Sequence, residues 1–301
     1  MTRSTPHDYK QLVVVGTSAG GVEALSVLVS TLPASFPAPI VVAQHLTPTR
    51  ESHLGEVLAR RSTLPVHTVH GDEPMKAGVV YVVPANKHAE VNNGAITLRE
   101  DTGERPRPSV DRLLSTSATH YGENLIAVIL TGSGSDGAAG ARAVKKAGGT
   151  VVIQDPATAS FRGMPASLAP STVDIIADIE RIGPVLNGLL EKSYLPAHDQ
   201  DGLQALLEEV KERSGIDFRK YPPATIQRRL QRRIADTGTT DFAEYLRYYR
   251  GHAEEHQRLV NGFIVQVTEF MRDPDLFIYI HNKILPEIIT QTHKRGNELR
   301  I

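Results

Sequence analysis

Three side chains in this sequence could together turn a hydroxyl into a nucleophile: Ser18, His45 and Asp136. A serine attacks a carbonyl when a base removes its proton, and the base keeps the right tautomer when a carboxylate holds its far nitrogen. Ser18 lies in Gly16-Thr17-Ser18-Ala19-Gly20, which fits the G-x-S-x-G spacing of a nucleophile turn. The same stretch fails as a dinucleotide loop, because Ser18 takes the place of the middle glycine. It fails as a phosphate loop too, because Gly20-Gly21-Val22 lacks the closing G-K-[ST]. On the turn alone, a nucleophile and a plain glycine-rich strand-to-helix connection both stay open.

The elements around these residues must bring them together. The run Val13-Val14-Val15 breaks at Gly16 and resumes as an apolar period through Val22, Leu25 and Leu28. That predicts a buried strand over 12–15, a tight turn, and a helix continuing over 24–32. The N–H groups at the start of such a helix could stabilise charge developing on a reacting oxygen. A second strand over 40–43 leaves His45 just past its carboxyl end. If the two strands are parallel neighbours, His45 shares an edge with Ser18, and sites in open α/β sheets gather along that edge. A strand over 125–130 closes in a second glycine-rich turn, residues 131–137, which contains Asp136. An aspartate there commonly caps a helix, and it could also orient a histidine. Further strands are expected over 65–70, 79–83 and 151–154, and helices over 54–61 and 109–121. A hairpin is expected at Asn92-Asn93-Gly94, and a loop with a short helix around Phe161-Arg162-Gly163-Met164-Pro165. The order Ser, His, Asp differs from the Ser, Asp, His order of α/β-hydrolases. Spacing alone leaves the triad a hypothesis.

Composition narrows the classes. The 301 residues suggest one large or two ordinary domains, and 40% apolar content supports a real core. A net charge of −1 argues against a polyanionic partner such as nucleic acid. With no cysteine, disulfides, thiolate catalysis and cysteine-ligated metals are excluded. His53, His67, His70 and His88 are scattered without ligand spacing, so no metal site is expected. The first residues lack the apolar core of a signal peptide and no apolar run reaches membrane-spanning length, so a cytoplasmic protein without membrane insertion is expected.

Residues 10–190 resemble the catalytic domain of the chemotaxis protein-glutamate methylesterases (CheB type). The resemblance is carried, in order, by GTSAGGVEAL (16–25), QHLTPT (44–49), AGVVYVVPANKH (77–88), RPSVDRLLSTSA (107–118), LTGSGSDGAAGARAVKKAGG (130–149) and QDPATASFRGMP (154–165). It implies an α/β fold with a doubly wound, mostly parallel sheet and a triad of Ser18, His45 and Asp136. It also implies hydrolysis of γ-glutamyl methyl esters on the cytoplasmic helices of chemoreceptors, with glutamine deamidation as the related activity and no cofactor. Ala19, Ser133 and Gly134 then fall on the oxyanion and substrate side. Ala19 stands where the family often has threonine and Ser133 where it usually has methionine. Both changes leave backbone N–H donors in place, so tuning is expected, not loss. The family often carries a receiver domain ahead of this unit. A first strand near residue 11 leaves no room for one here, so regulation by the chain's own receiver is not expected.

After a polar stretch over 193–202, the pattern becomes helical, with segments expected over 203–213, 242–249 and 256–263. Ile226, Leu230 and Ile234 form an apolar stripe flanked by Arg228, Arg229, Arg232 and Arg233. This arginine run reads as a solvated helix face or as a surface for an acidic protein; a nucleic-acid reading lacks interleaved aromatics. Residues 203–301 resemble the N-terminal region of the chemoreceptor-glutamate methyltransferases (CheR type), through SGIDFRKYPPATIQRRLQRRI (214–234), VTEFMRDPDLF (267–277) and ILPEI (284–288). This implies a small all-α region whose four arginines face the acidic methylation helices of a receptor. Thr268 and Arg272 match positions that help hold S-adenosylmethionine, although Gln266 and Met271 depart from the usual asparagine and phenylalanine. The expected organisation is an esterase domain over 10–192, a linker over 193–202, a helical domain over 203–292, and over 293–301 the start of a methyltransferase domain that this chain lacks. S-adenosylmethionine would then serve only a full-length fusion, and this chain alone would methylate nothing. Two other readings remain: a non-catalytic receptor-docking scaffold with a relic triad, and an esterase of small molecules.

Overall fold

Alternating buried β-branched residues build the centre of the protein. The computed structural model describes residues 9–46, 52–99, 106–191 and 200–264, together with residues 282, 284 and 286. Leu12–Thr17 (β1) is buried at every position, as a strand covered on both faces must be. The chain turns at Gly20, whose φ of 73° suits a residue without a Cβ, and enters Gly21–Ser30 (α1). Ile40–Gln44 (β2), Leu54–Ala59 (α2), Val66–Thr68 (β3), Glu73–Pro74 (β4) and Val80–Val82 (β5) follow. His88–Asn92 (β6) and Ala95–Arg99 (β7) form the expected hairpin on Asn93-Gly94. Then come Val110–Tyr121 (α3), Leu125–Ile129 (β8), Ala138–Lys146 (α4), Thr150–Gln154 (β9), Gly163–Ala166 (α5), Ile175–Ala177 (β10) and Ile179–Glu191 (α6).

Seven strands form one sheet in the order β10-β9-β8-β1-β2-β5-β3, with every pair parallel. β4, β7 and β6 make a separate small antiparallel sheet. Side chains alternate between the faces of the large sheet. Val13, Val15, Val42 and Val128 pack with Leu25 and Leu28 of α1, Leu58 of α2 and Leu186 of α6. Val14, Val41, Ala127 and Ile153 pack with Leu113 and Leu114 of α3 and Val144 of α4. Helices thus cover both faces, the doubly wound arrangement that the sequence suggests. β4 and β10 are the strands with no sequence forecast, since two or three residues among turns show no period to read.

The last described helices are Gln200–Ser214 (α7), Pro223–Thr237 (α8), Phe242–Gly251 (α9) and Ala253–Phe263 (α10). Proline opens α8, where its missing N–H costs nothing, and Gly238 at φ 76° ends it. Ile226, Leu230 and Ile234 are buried as their spacing requires, and they belong to the same apolar cluster as Ile182, Leu186 and Leu189 of α6. The change of pattern near residue 200 is therefore no break in packing: one compact unit ends at Ile264. Thr268 and Arg272 lie outside the described residues.

The arginines of α8 depart from expectation. Instead of facing outward as a set, each is engaged within the protein. Arg232 donates to the Gly148 carbonyl at 2.7 Å and to Thr150 Oγ1 at 2.8 Å, at the amino end of β9. Arg228 pairs with Glu123, just ahead of β8. Arg229 donates to the Phe263 carbonyl at 2.7 Å. Arg233 forks onto the fully buried Glu255 at 2.6 and 2.9 Å, and Glu255 also accepts from Tyr245 at 2.9 Å. The cause is geometric. The arginines flank an apolar stripe that docks on α6, so the same docking presses them against the amino ends of the strands and against α10.

Among the described residues no helix is long and apolar enough to cross a membrane. No group of three or more histidine, aspartate or glutamate side chains among them is placed to hold a metal ion.

Candidate active site

The register of the sheet sets the first two residues side by side. Thr17 pairs with Gln44, so Ser18 and His45 come next on adjacent strands, which run about 4.8 Å apart. The His45 N–H donates to the Thr17 carbonyl at 3.0 Å. The buried Gln44 side chain donates to the carbonyls of Ser18 at 2.7 Å and of His45 at 3.0 Å. On the other side, the Ser18 N–H donates to the Thr131 carbonyl at 3.0 Å, just beyond β8. β1 is where the strand order runs outward in both directions, so Ser18 sits in the crevice where open α/β sheets place ligands.

His45 and Asp136 are joined directly. His45 Nε2 donates to Asp136 Oδ2 at 2.8 Å, with both side chains largely shielded from water. Asp136 also takes the Val110 N–H on Oδ2 at 2.7 Å and the Asp111 N–H on Oδ1 at 2.9 Å. It thus caps a helix, as aspartates in such turns commonly do, but the helix is α3 and not α4, which follows it in sequence. Burial alone would raise its pKa; the His45 hydrogen bond and the two N–H donors outweigh burial and hold the carboxyl below its ordinary range. Asp111 returns the favour to α4, accepting from the N–H groups of Gly137 at 2.9 Å and Gly140 at 2.6 Å. Burial raises the Asp111 carboxyl, and the neighbouring Asp136 charge adds to that rise.

Ser18 is half-buried, and among the described residues no hydrogen bond joins its hydroxyl to the His45 ring. The Ser133 segment runs close beside it: a Cβ added at Gly132 would lie 2.8 Å from Ser18 Cβ and 2.3 Å from Met164 Sδ. Only glycine fits there. Ser133 and Gly134 follow, exposed, and the N–H groups of Ala19, Ser133 and Gly134 donate to no acceptor among the described residues.

Sequence reasoning passed over Gln44 and Asp111. Gln44 opens the QHLTPT stretch (44–49), but nothing marks a glutamine ending a strand as a bridge between two carbonyls. Asp111 reads as an ordinary first-turn acid, and its reach to a second helix depends on how α3 and α4 pack.

Residues 13–186 match the CheB methylesterase family, and residues 201–264 match the all-alpha domain of the CheR methyltransferases. A putative protein-glutamate methylesterase/protein-glutamine glutaminase of Leptospira interrogans is 38% identical over 176 residues, covering 57% of this chain and 91% of that protein. A Thermotoga maritima protein-glutamate methylesterase/protein-glutamine glutaminase is 39% identical over 173 residues, 56% of this chain; the match spans only 50% of that relative's length. The crystal structure of the Thermotoga maritima CheB methylesterase catalytic domain aligns with a TM-score of 0.56 and 37% identity, over 60% of this chain and 98% of that one. The family match takes in Ser18, His45 and Asp136 and covers more than half of the chain: the protein belongs to the CheB methylesterase family and carries a CheR-type all-alpha domain behind the esterase region.

Proposed function

We propose that this chain hydrolyses γ-glutamyl methyl esters on the cytoplasmic helices of chemoreceptors, with Ser18 as nucleophile, His45 as general base and Asp136 as the carboxylate that orients it. The observation that carries the reading is the 2.8 Å bond from His45 Nε2 to Asp136, one strand across from Ser18. That bond fixes the tautomer, so Nδ1 is the ring nitrogen left to accept the serine proton. Catalytic hydrogen bonds are often long before substrate binds, and the hydroxyl meets Nδ1 as the ester arrives.

Ser18 Oγ attacks the ester carbonyl while His45 takes its proton. The negative oxygen is received by N–H groups of Ala19, Ser133 and Gly134. Each such donor is worth roughly a hundredfold or more in rate. His45 then protonates the departing methoxide, which leaves as methanol. Water, deprotonated by the same ring, cleaves the acyl-enzyme to free glutamate and Ser18. A glutamine side chain would follow the same path with ammonia leaving, which gives the deamidase activity. The steps use Ser18, His45, Asp136 and water, and no cofactor. S-adenosylmethionine chemistry is assigned to none of the described residues. The docking-scaffold alternative needs a free arginine face on α8, and the internal bonds of those arginines weigh against it. Incubation with a methyl-esterified receptor fragment should release methanol catalytically, and release no faster than the uncatalysed background would refute the reading.

Asp111 is assigned a positioning role, because it fastens α4 beside the carboxylate that α4's own turn carries. Both N–H bonds fall on Asp111 Oδ1, so an asparagine can keep them while removing a charge next to Asp136. Asp111→Asn is therefore expected to be as stable as the wild type or slightly more so near neutral pH, with activity within a few-fold. Asp111→Ala orphans both donors, at a cost of about 1–2 kcal/mol, and loosens Asp136. The raised carboxyl gives the sign of the pH effect. In the wild type the charged form is the disfavoured one, so this site loses stability as pH rises through its folded value and regains it in acid. Thermal melts of the three proteins across pH test this, and an asparagine variant as unstable as the alanine one would overturn it.

A further inference from the structure

One side chain beside the nucleophile turn has no part in the triad. Phe161 is 47% exposed, whereas every other described phenylalanine is at most 2% exposed. Its main chain cannot withdraw it: the Phe161 N–H donates to Thr131 Oγ1 at 2.9 Å, and its carbonyl accepts from the Gly132 N–H at 2.9 Å. The Thr131 hydroxyl also reaches the Ala19 carbonyl at 3.1 Å. Phe161 is thus tied to the two backbone segments that flank Ser18. A Cβ added at Gly20 would lie 3.3 Å from Phe161 Cδ2, so the ring stands against the nucleophile turn. Arg162, next in sequence, is exposed, and among the described residues its side chain makes no hydrogen bond or ion pair. Phe161 and Arg162 thus place an apolar ring and a positive charge side by side at the rim of the nucleophile turn, the two kinds of side chain that are enriched where proteins hold a partner.

We propose that Phe161 and Arg162 form the edge that recognises the helix carrying the reacting glutamate. The ring takes an apolar side chain three or four positions along that helix, and the guanidinium takes a neighbouring carboxylate. On a helix, such positions lie about 5–6 Å apart, within reach of two adjacent side chains. What these two side chains add is a demand for an apolar and an acidic side chain near the reacting glutamate on the same helix, neither of which a free small ester carries. This rests on the methylesterase reading and adds what the site holds beyond the ester group.

The test is steady-state methanol release from a methylated receptor fragment by the full chain. Phe161→Ala is expected to raise KM about tenfold, as loss of an interface aromatic does, with kcat within about twofold and an unchanged melting temperature. Arg162→Glu should raise KM several-fold at low salt and less at high salt, because exposed charges are screened, while Arg162→Lys keeps most of the affinity. An unchanged KM in Phe161→Ala, or a fall in kcat together with the melting temperature, would overturn the inference while leaving the methylesterase reading in place. A wild-type chain that releases no methanol from the fragment would instead overturn that reading, and this inference with it.

Discussion

Ser18→Ala is expected to lower methanol release from a methylated receptor by about 10⁴- to 10⁶-fold, the loss seen when a triad nucleophile is removed. At about 1.4 kcal/mol for each factor of ten, that is roughly 5–8 kcal/mol of barrier. The fold has no stake in the hydroxyl. Ser18 is held by its main chain, through its N–H to Thr131 and its carbonyl to the Gln44 amide, and its side chain bonds to none of the described residues. Alanine keeps all the main-chain contacts. The melting temperature should therefore stay within a degree or two while the activity disappears. A fluorophosphonate probe that labels the wild type and not the variant would locate the loss at this oxygen. A variant that still demethylates at the wild-type rate would exclude Ser18 as the nucleophile.

Asp136→Asn is expected to lower kcat by about 10⁴-fold, because the wrong tautomer is favoured and the imidazolium loses its counter-charge. Unlike the serine change, this one should also cost stability. The carboxylate gives Oδ2 to Val110 and Oδ1 to Asp111, and asparagine has one oxygen for the two N–H groups. Whichever way the amide turns, one donor at the start of α3 is orphaned, at about 1–3 kcal/mol. The wild type carries the matching pH signature. Its folded carboxyl lies below the ordinary range, so its contribution is full above the unfolded value near 4 and is lost as pH falls through the lower folded one. Acid unfolding of the wild type and of Asp136→Asn should converge at low pH, where the wild-type carboxyl is neutral too. A variant within tenfold of wild-type kcat would show that Asp136 serves α3 and not the histidine.

These two substitutions divide what the triad shares with the fold. In the proposed mechanism Ser18 serves chemistry alone. In that mechanism Asp136 serves both, and Asp111 of α3 holds the N–H groups at the start of α4. The start of α3 is thus held by the same carboxylate that the base needs, so the helix cannot shift there without disturbing His45.

Much of this was legible in the residues themselves. Val13-Val14-Val15, the break at Gly16 and the Asn93-Gly94 turn specify a strand, a strand-to-helix connection and a hairpin through local sterics and period. The sequence also named Ser18, His45 and Asp136, because each follows a strand end and parallel strands bring their carboxyl ends to one edge. The tertiary structure decided the rest. It chose which helix Asp136 caps, made Gln44 the bridge between Ser18 and His45, left Phe161 in water, and turned Arg228, Arg229, Arg232 and Arg233 inward. The reason is one of range. Period and turn chemistry act over a few residues and are written in order along the chain. The partner of a buried polar group is whatever distant segment packs against it, and Gly148 with Arg232, or Asp111 with Gly140, meet only once the core has closed.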